Sequence, residues 1–255
     1  KSFYDYLKLK FDNDEFNFKT LKSDIDDGLY FKSSIPIGYG VGSSGALVAA
    51  VYDKYSLMKI KIEKKIDAEK IIVLKNIFSK MESFFHGESS GIDPINSYLS
   101  SPLLISSKKE IVTTTIPEQI KNGNQGFFLV DSRESSNTRI LVDKFLELIK
   151  DNYFEKLFKK EFVEFTNSCV DDFLNSNFNS LQKNFKKLSK FTYDNFKIMI
   201  PEQVDLIWRE GLKTNDYFLK LCGSGGGGFL LGFSENLAKS QELLKDYNFK
   251  VVLSY

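Results

Sequence analysis

Residues 223–228 read Gly-Ser-Gly-Gly-Gly-Gly, and this run constrains the chain more than any other six residues in it. Glycine loses more conformational freedom on folding than any other residue, so a compact domain keeps four in a row only where side chains would obstruct something. A tight hairpin uses one or two of them. The rest predict a loop that meets a substrate or a phosphate at close range, with Gly223, Ser224, Gly225, Gly226 and Gly227 as candidates. The flanking "YFLKL" and "FLLGFS" are strand-like, and a short helix and a last strand, "FKVVLSY", follow.

A second bare stretch, "SSIPIGYGVGSSGALVAA", spans residues 33–50. Glycine-rich turns that end in serines at a helix start suit phosphate, because absent Cβ atoms admit the backbone and the helix N-terminus adds positive potential. Pro36, Gly38, Gly40, Gly42, Ser43, Ser44 and Gly45 are the candidates. Such a turn can also simply join a strand to a helix. No Lys precedes the serines as a Walker A loop requires, and the glycine spacing does not fit the dinucleotide fingerprint. A buried, serine-capped helix is expected from Ser43 to about Tyr55.

The third stretch is "MESFFHGESSGIDP". Glu82 falls near the end of an amphipathic helix, "DAEKIIVLKNIFSKMESFF", which Asp67 can cap and Gly87 ends. Asp93 follows in a loop of small residues. The two carboxylates can converge without sharing a helix face, one binding a cation and the other taking a proton. Acidic residues near helix ends are also commonplace. His86 is the sole histidine, with no carboxylate at ligand spacing, and reads as structural.

The remaining pattern predicts an α+β chain. A helix is expected over residues 1–11, then short strands in "FNFKTL" and "GLYFKSSIP" split by the turn "KSDIDDG". Further strands are expected near 102–106, 110–115 and 126–131. Residues 137 to about 214 are almost wholly helical, and two stripes, Phe154, Phe158, Phe162, Phe165 and Phe178, Leu181, Phe185, Leu188, read as core. Pro201 fits the first turn of a helix carrying Trp208. A boundary in "IPEQIKNGNQG" divides the chain into residues 1–118 and 119–255. The 35 Lys plus Arg nearly cancel 34 Asp plus Glu, so no net field recruits nucleic acid or anionic lipid, and a small-molecule partner is expected. Cys169 and Cys222, far apart, make no disulfide framework or zinc site and fit a reducing cytoplasm. No apolar run reaches membrane-spanning length.

Taken together, "PIGYGVGSSGA" resembles the central phosphate loop of the galactokinase, homoserine kinase, mevalonate kinase and phosphomevalonate kinase (GHMP) superfamily. "KLCGSGGGGFLLGF" resembles its C-terminal glycine motif, in the expected order. Within the superfamily, "ESFFHGESSGID" resembles the mevalonate kinase pattern. The resemblance implies a two-domain GHMP-kinase-like fold with its active site in the cleft between domains. It implies ATP on residues 36–46, Mg²⁺ held by Ser44 and Glu82, Asp93 as catalytic base, and Thr138, in "LVDSRESSNTRILV", beside the substrate. The implied reaction is phosphorylation of the primary hydroxyl of mevalonate in isoprenoid precursor synthesis. A sister kinase for another small alcohol or sugar, or an inactive nucleotide-binding sensor, is the alternative. Asp93 argues against homoserine kinases, which generally lack it. A cytoplasmic enzyme with no nucleic-acid or membrane partner is expected, and a homodimer is one option.

The chain departs from the family pattern at Ile37 for a proline, Gly45 for an alanine, Ser89 for a proline and Pro94 for a residue that is often Asn. The family's Pro-Gly-Lys and Gly-Glu-His motif, whose segment supplies a lysine near the catalytic aspartate, is not found upstream of residue 33. The chain is therefore expected to lack the family's first strands.

Overall fold

The computed structural model describes residues 2–62, 66–107, 110–135 and 138–255. The chain forms two compact units. Residues 1–37 and 42–115 make the first, and residues 38–41 and 116–255 the second.

In the first unit α1 (Phe3–Lys10) starts at a reciprocal cap between Ser2 and Asp5. Where strands were expected around residue 18, the chain instead forms α2 (Phe18–Asp26). Asn17 caps it by accepting from the Thr20 amide at 3.0 Å, and Phe18 and Leu21, three residues apart, are both buried. Phe16 keeps one isolated bridge, to Ser56. The expected strand in residues 28–36 is likewise not formed, because no described strand lies beside it to complete a ladder.

Three helices then build the site: α3 (Ser43–Tyr55), α4 (Ala68–His86) and α5 (Ile92–Leu99). A two-stranded antiparallel ribbon follows, β1 (Leu103–Ser107) and β2 (Glu110–Thr113). Tyr52 of α3, Phe78 of α4 and Tyr98 of α5 meet edge to face at the centre of the core, with centroids 4.9–5.7 Å apart. Such pairs favour one arrangement of the three helices. The hydroxyls of Tyr52 and Tyr98 both find partners on the Ile60 backbone, so neither buried phenol is left unsatisfied.

The second unit centres on a four-stranded antiparallel sheet in the order β4-β5-β3-β6, with β3 Gly126–Asp131, β4 Phe218–Leu221, β5 Phe229–Ser234 and β6 Lys250–Ser254. Helices α6 (Thr138–Leu148), α7 (Asn152–Leu157), α8 (Val163–Leu174), α9 (Phe178–Asn195) and α10 (Glu202–Thr214) fill the chain between β3 and β4, and α11 (Leu237–Leu243) precedes β6. Pro201 stands at the N-cap of α10, one residue before the turn expected for it. Leu181, Phe185 and Leu188 are buried as their spacing predicted, while Phe178 of the same stripe is only partly buried. The other stripe departs from expectation, since Phe154, Phe158, Phe162 and Phe165 are only partly buried. There the helix widens into a π turn over Phe158–Phe162.

Candidate active site

The carboxylate of Glu82, on the last turns of α4, is 3% exposed. It accepts a hydrogen bond from Ser44 Oγ at 3.1 Å and another from Ser89 Oγ. Ser44 lies in the first turn of α3, whose N-cap is Gly42 in the left-handed conformation. The expected serine cap is therefore corrected: Ser43 is the first helical residue, and no side chain caps the helix. Among the described residues the amides of Gly40, Gly42, Ser43 and Gly45 have no protein acceptor. Orphan donors at the start of a helix favour an anion.

Asp93 is not in a loop, as its small neighbours suggested, but in the first turn of α5, and it is exposed. Two contacts decide this. Gly91, the N-cap of α5, lies so close to α4 that a Cβ there would meet the Lys75 carbonyl oxygen at 2.4 Å. Gly45 of α3 lies so close to α5 that its Cβ would stand 2.7 Å from the Asp93 carbonyl carbon. The segment between α4 and α5 is held by Ser79, whose hydroxyl donates to the Ser89 carbonyl, and by Ser89 Oγ, which accepts from the Gly91 amide at 3.1 Å. A Cβ on Gly42 would lie 3.3 Å from the Asp93 Cβ. The N-terminus of α3 and Asp93 are thus neighbours. Asp67 stands at the N-cap of α4, but its side chain makes no capping bond.

Ser89 is the residue that motif reading misses. It counts as a departure from a family proline, yet it supplies the second hydroxyl on Glu82. A hydroxyl two residues before the αL glycine was the available signal. His86 ends α4 and Thr138 begins α6, and the side chains of both lie outside the described structure.

In the second unit the glycine loop joins β4 to β5. Its tight packing answers part of what four glycines are for. Gly228 takes φ of 74°, and a Cβ there would meet the Tyr39 carbonyl oxygen at 2.4 Å. The amides of Gly226 and Gly228 donate to the carbonyls of Met199 and Glu134 at 2.6 and 2.7 Å. Those glycines let three backbone segments touch, while Gly223 is exposed and its Cβ would have nothing closer than 3.5 Å. Gly40 faces the same loop, where a Cβ would lie 3.0 Å from the Cys222 carbonyl oxygen. The Asp131 carboxylate beside Tyr39 pushes that phenol's pKa up.

A buried carboxylate that already holds a serine hydroxyl offers hard oxygen donors of the kind Mg²⁺ takes, and orphan amides stand nearby for phosphate. Among the described residues no group of three His, Cys, Asp or Glu gathers as a metal centre. A cation held here would therefore complete its shell with phosphate oxygens and water, as Mg²⁺ commonly does.

Residues 4–100 match the GHMP kinases N terminal domain. L. major mevalonate kinase, in complex with R-mevalonate, superposes with a TM-score of 0.55 at 14% identity, over 80% of this chain and 60% of that one. The fold is that of the GHMP kinases. Lactococcus lactis galactokinase, complexed with galactose, gives 0.54 at 13% identity over 93% and 74% of the two chains. A Listeria innocua protein gives 0.51 at 11% over 85% and 77%. No curated protein matches the sequence. The chain spans 60% of the mevalonate kinase it resembles. Gly42, Ser44, Glu82 and Asp93 all fall within the GHMP match, and the glycine loop lies beyond it. Among the described residues no helix is long and apolar enough to cross a membrane.

Proposed function

We propose that this chain is a GHMP kinase that transfers the γ-phosphoryl group of ATP to the primary hydroxyl of mevalonate. One observation carries the proposal. Gly42 adjoins Asp93 while Ser44, two residues on, is hydrogen-bonded to a buried Glu82. A phosphate-binding helix start, a cation-binding carboxylate and a proton acceptor are thus gathered in one unit of 1–37 and 42–115.

The orphan amides of Gly42, Ser43 and Gly45 and the dipole of α3 would hold ATP phosphate oxygens. Ser44 and Glu82 would hold Mg²⁺, which when bound offsets phosphate charge. Asp93 would accept the proton of the substrate hydroxyl as its oxygen attacks the γ-phosphorus, with ADP leaving. Exposure of Asp93 suits a group that must meet substrate. Mevalonate is favoured over sugars by the "ESFFHGESSGID" motif.

Coupled ADP release tests this with mevalonate, galactose and homoserine in parallel. Mevalonate-dependent release, lowered in Glu82→Gln with a raised Mg²⁺ requirement, is expected. Release with galactose alone would move the substrate to sugars, and ATP binding without release on any alcohol would leave a nucleotide sensor.

A further inference from the structure

The second unit contains an apolar cavity of about 380 Å³, within the range of small-molecule sites. Phe145 of α6, Phe158 and Phe162 of the π turn, and Phe196 form one aromatic wall. Phe158 and Phe162 stack at 4.9 Å, and Phe162 meets Phe196 edge to face at 5.6 Å. A π turn strains the helical ladder and recurs at functional sites, so its place on this wall is a second sign of a binding role.

The polar end of the cavity is formed by Lys220 of β4 with Gly223 and Ser224. Lys220 is half-buried. Its ammonium donates to the Leu221 carbonyl at 3.0 Å, and among the described residues it has no carboxylate partner. Among the described residues no acidic side chain lines the cavity. A partly desolvated cation facing hydrocarbon walls calls for an anion that brings its own apolar body. The larger apolar hollow of the first unit, about 580 Å³, differs in this respect. Its lysines, Lys22 and Lys54, are already paired with Asp26 and Asp24.

We propose that the cavity of the second unit binds a small apolar anion, a hydrocarbon chain ending in a carboxylate or phosphate. The head sits at Lys220 and Gly223–Ser224, and the chain lies among Phe145, Phe158, Phe162 and Phe196. This stands apart from the kinase proposal, since it involves none of Ser44, Glu82 or Asp93 and is read without nucleotide.

Calorimetric titration of the full chain with decanoate, decyl phosphate, decan-1-ol and inorganic phosphate tests it. Decanoate or decyl phosphate should bind one per chain, whichever is tighter naming the head group, with decan-1-ol and inorganic phosphate each weaker by about tenfold or more. Lys220→Met should remove that preference over decan-1-ol, and Lys220→Arg should restore it. Should Lys220→Met not fold, the four-ligand comparison on the native chain decides alone. Equal binding of decan-1-ol, an unaltered affinity in a folded Lys220→Met, or no binding of either alkyl anion overturns the proposal.

Discussion

The Cα of Gly45 faces the backbone of Asp93 so closely that a methyl group on it would stand 2.7 Å from the Asp93 carbonyl carbon and 2.8 Å from its Cβ. Alanine is what the family pattern has at this position, so α3 and α5 are closer in this chain than a Cβ permits. Gly45→Ala should therefore lower stability by about 1–3 kcal/mol through overpacking, read as a lower urea midpoint at unchanged slope. An unaltered midpoint would mean that the two helices separate freely.

Asp93→Asn separates catalysis from structure. Asp93 is exposed in the first turn of α5, where the interaction of its charge with the helix dipole is worth about 0.3–1 kcal/mol. As a general base its loss should reduce kcat by about 10²–10⁴-fold. Thermal melts and steady-state kinetics on one preparation check both numbers, and a folded Asn variant keeping more than about a tenth of native turnover removes Asp93 from the chemistry.

Ser89→Ala should destabilise the first unit by about 1–3 kcal/mol, because the buried Glu82 carboxylate loses a hydroxyl donor. Chemical denaturation measures this. Glu82→Gln combined with Ser89→Ala should cost less than the two single changes summed, since the residues are direct partners. Additive losses would mean that the hydrogen bond contributes nothing.

The glycine loop should respond unevenly along its length. Gly228→Ala places a methyl group 2.4 Å from the Tyr39 carbonyl oxygen at a left-handed φ, and should cost about 3 kcal/mol or more. Gly223→Ala meets nothing closer than 3.5 Å and should cost only the left-handed backbone penalty, about 1–2 kcal/mol. Comparable midpoints for the two variants would contradict this packing.

Burial, with a smaller contribution from Asp172, pushes the Cys169 thiol up to about 12. The raised pKa means that at pH 8 almost no thiolate is present, so alkylation of Cys169 should run roughly a thousandfold slower in the native chain than in denaturant. Mass-spectrometric labelling against time measures the ratio, and a ratio near one would place the thiol at the surface.

Local chemistry in the sequence determined the parts of this protein that depend on neighbours along the chain. The helix from Ser43 to Tyr55, the amphipathic helix ending at Gly87, the strand, glycine loop and strand of residues 218–234 and the α+β class were all legible from spacing and from glycine placement. The sequence also singled out Gly42, Ser44, Glu82 and Asp93, because few residue types suit phosphate and a hard cation. Tertiary structure decided what spacing cannot encode. The segment around Phe18 became a helix since burying Phe18 and Leu21 on one face, with Asn17 as cap, gained more than an extended segment with no described strand beside it. Asp93 entered a helix because Gly91 and Gly45 let two other helices close on it. Ser89 acquired its role only when α4 and the following turn brought its hydroxyl to Glu82, seven residues away. Each of these depends on which backbone segments the packed core brings into contact, and residue spacing alone does not encode that.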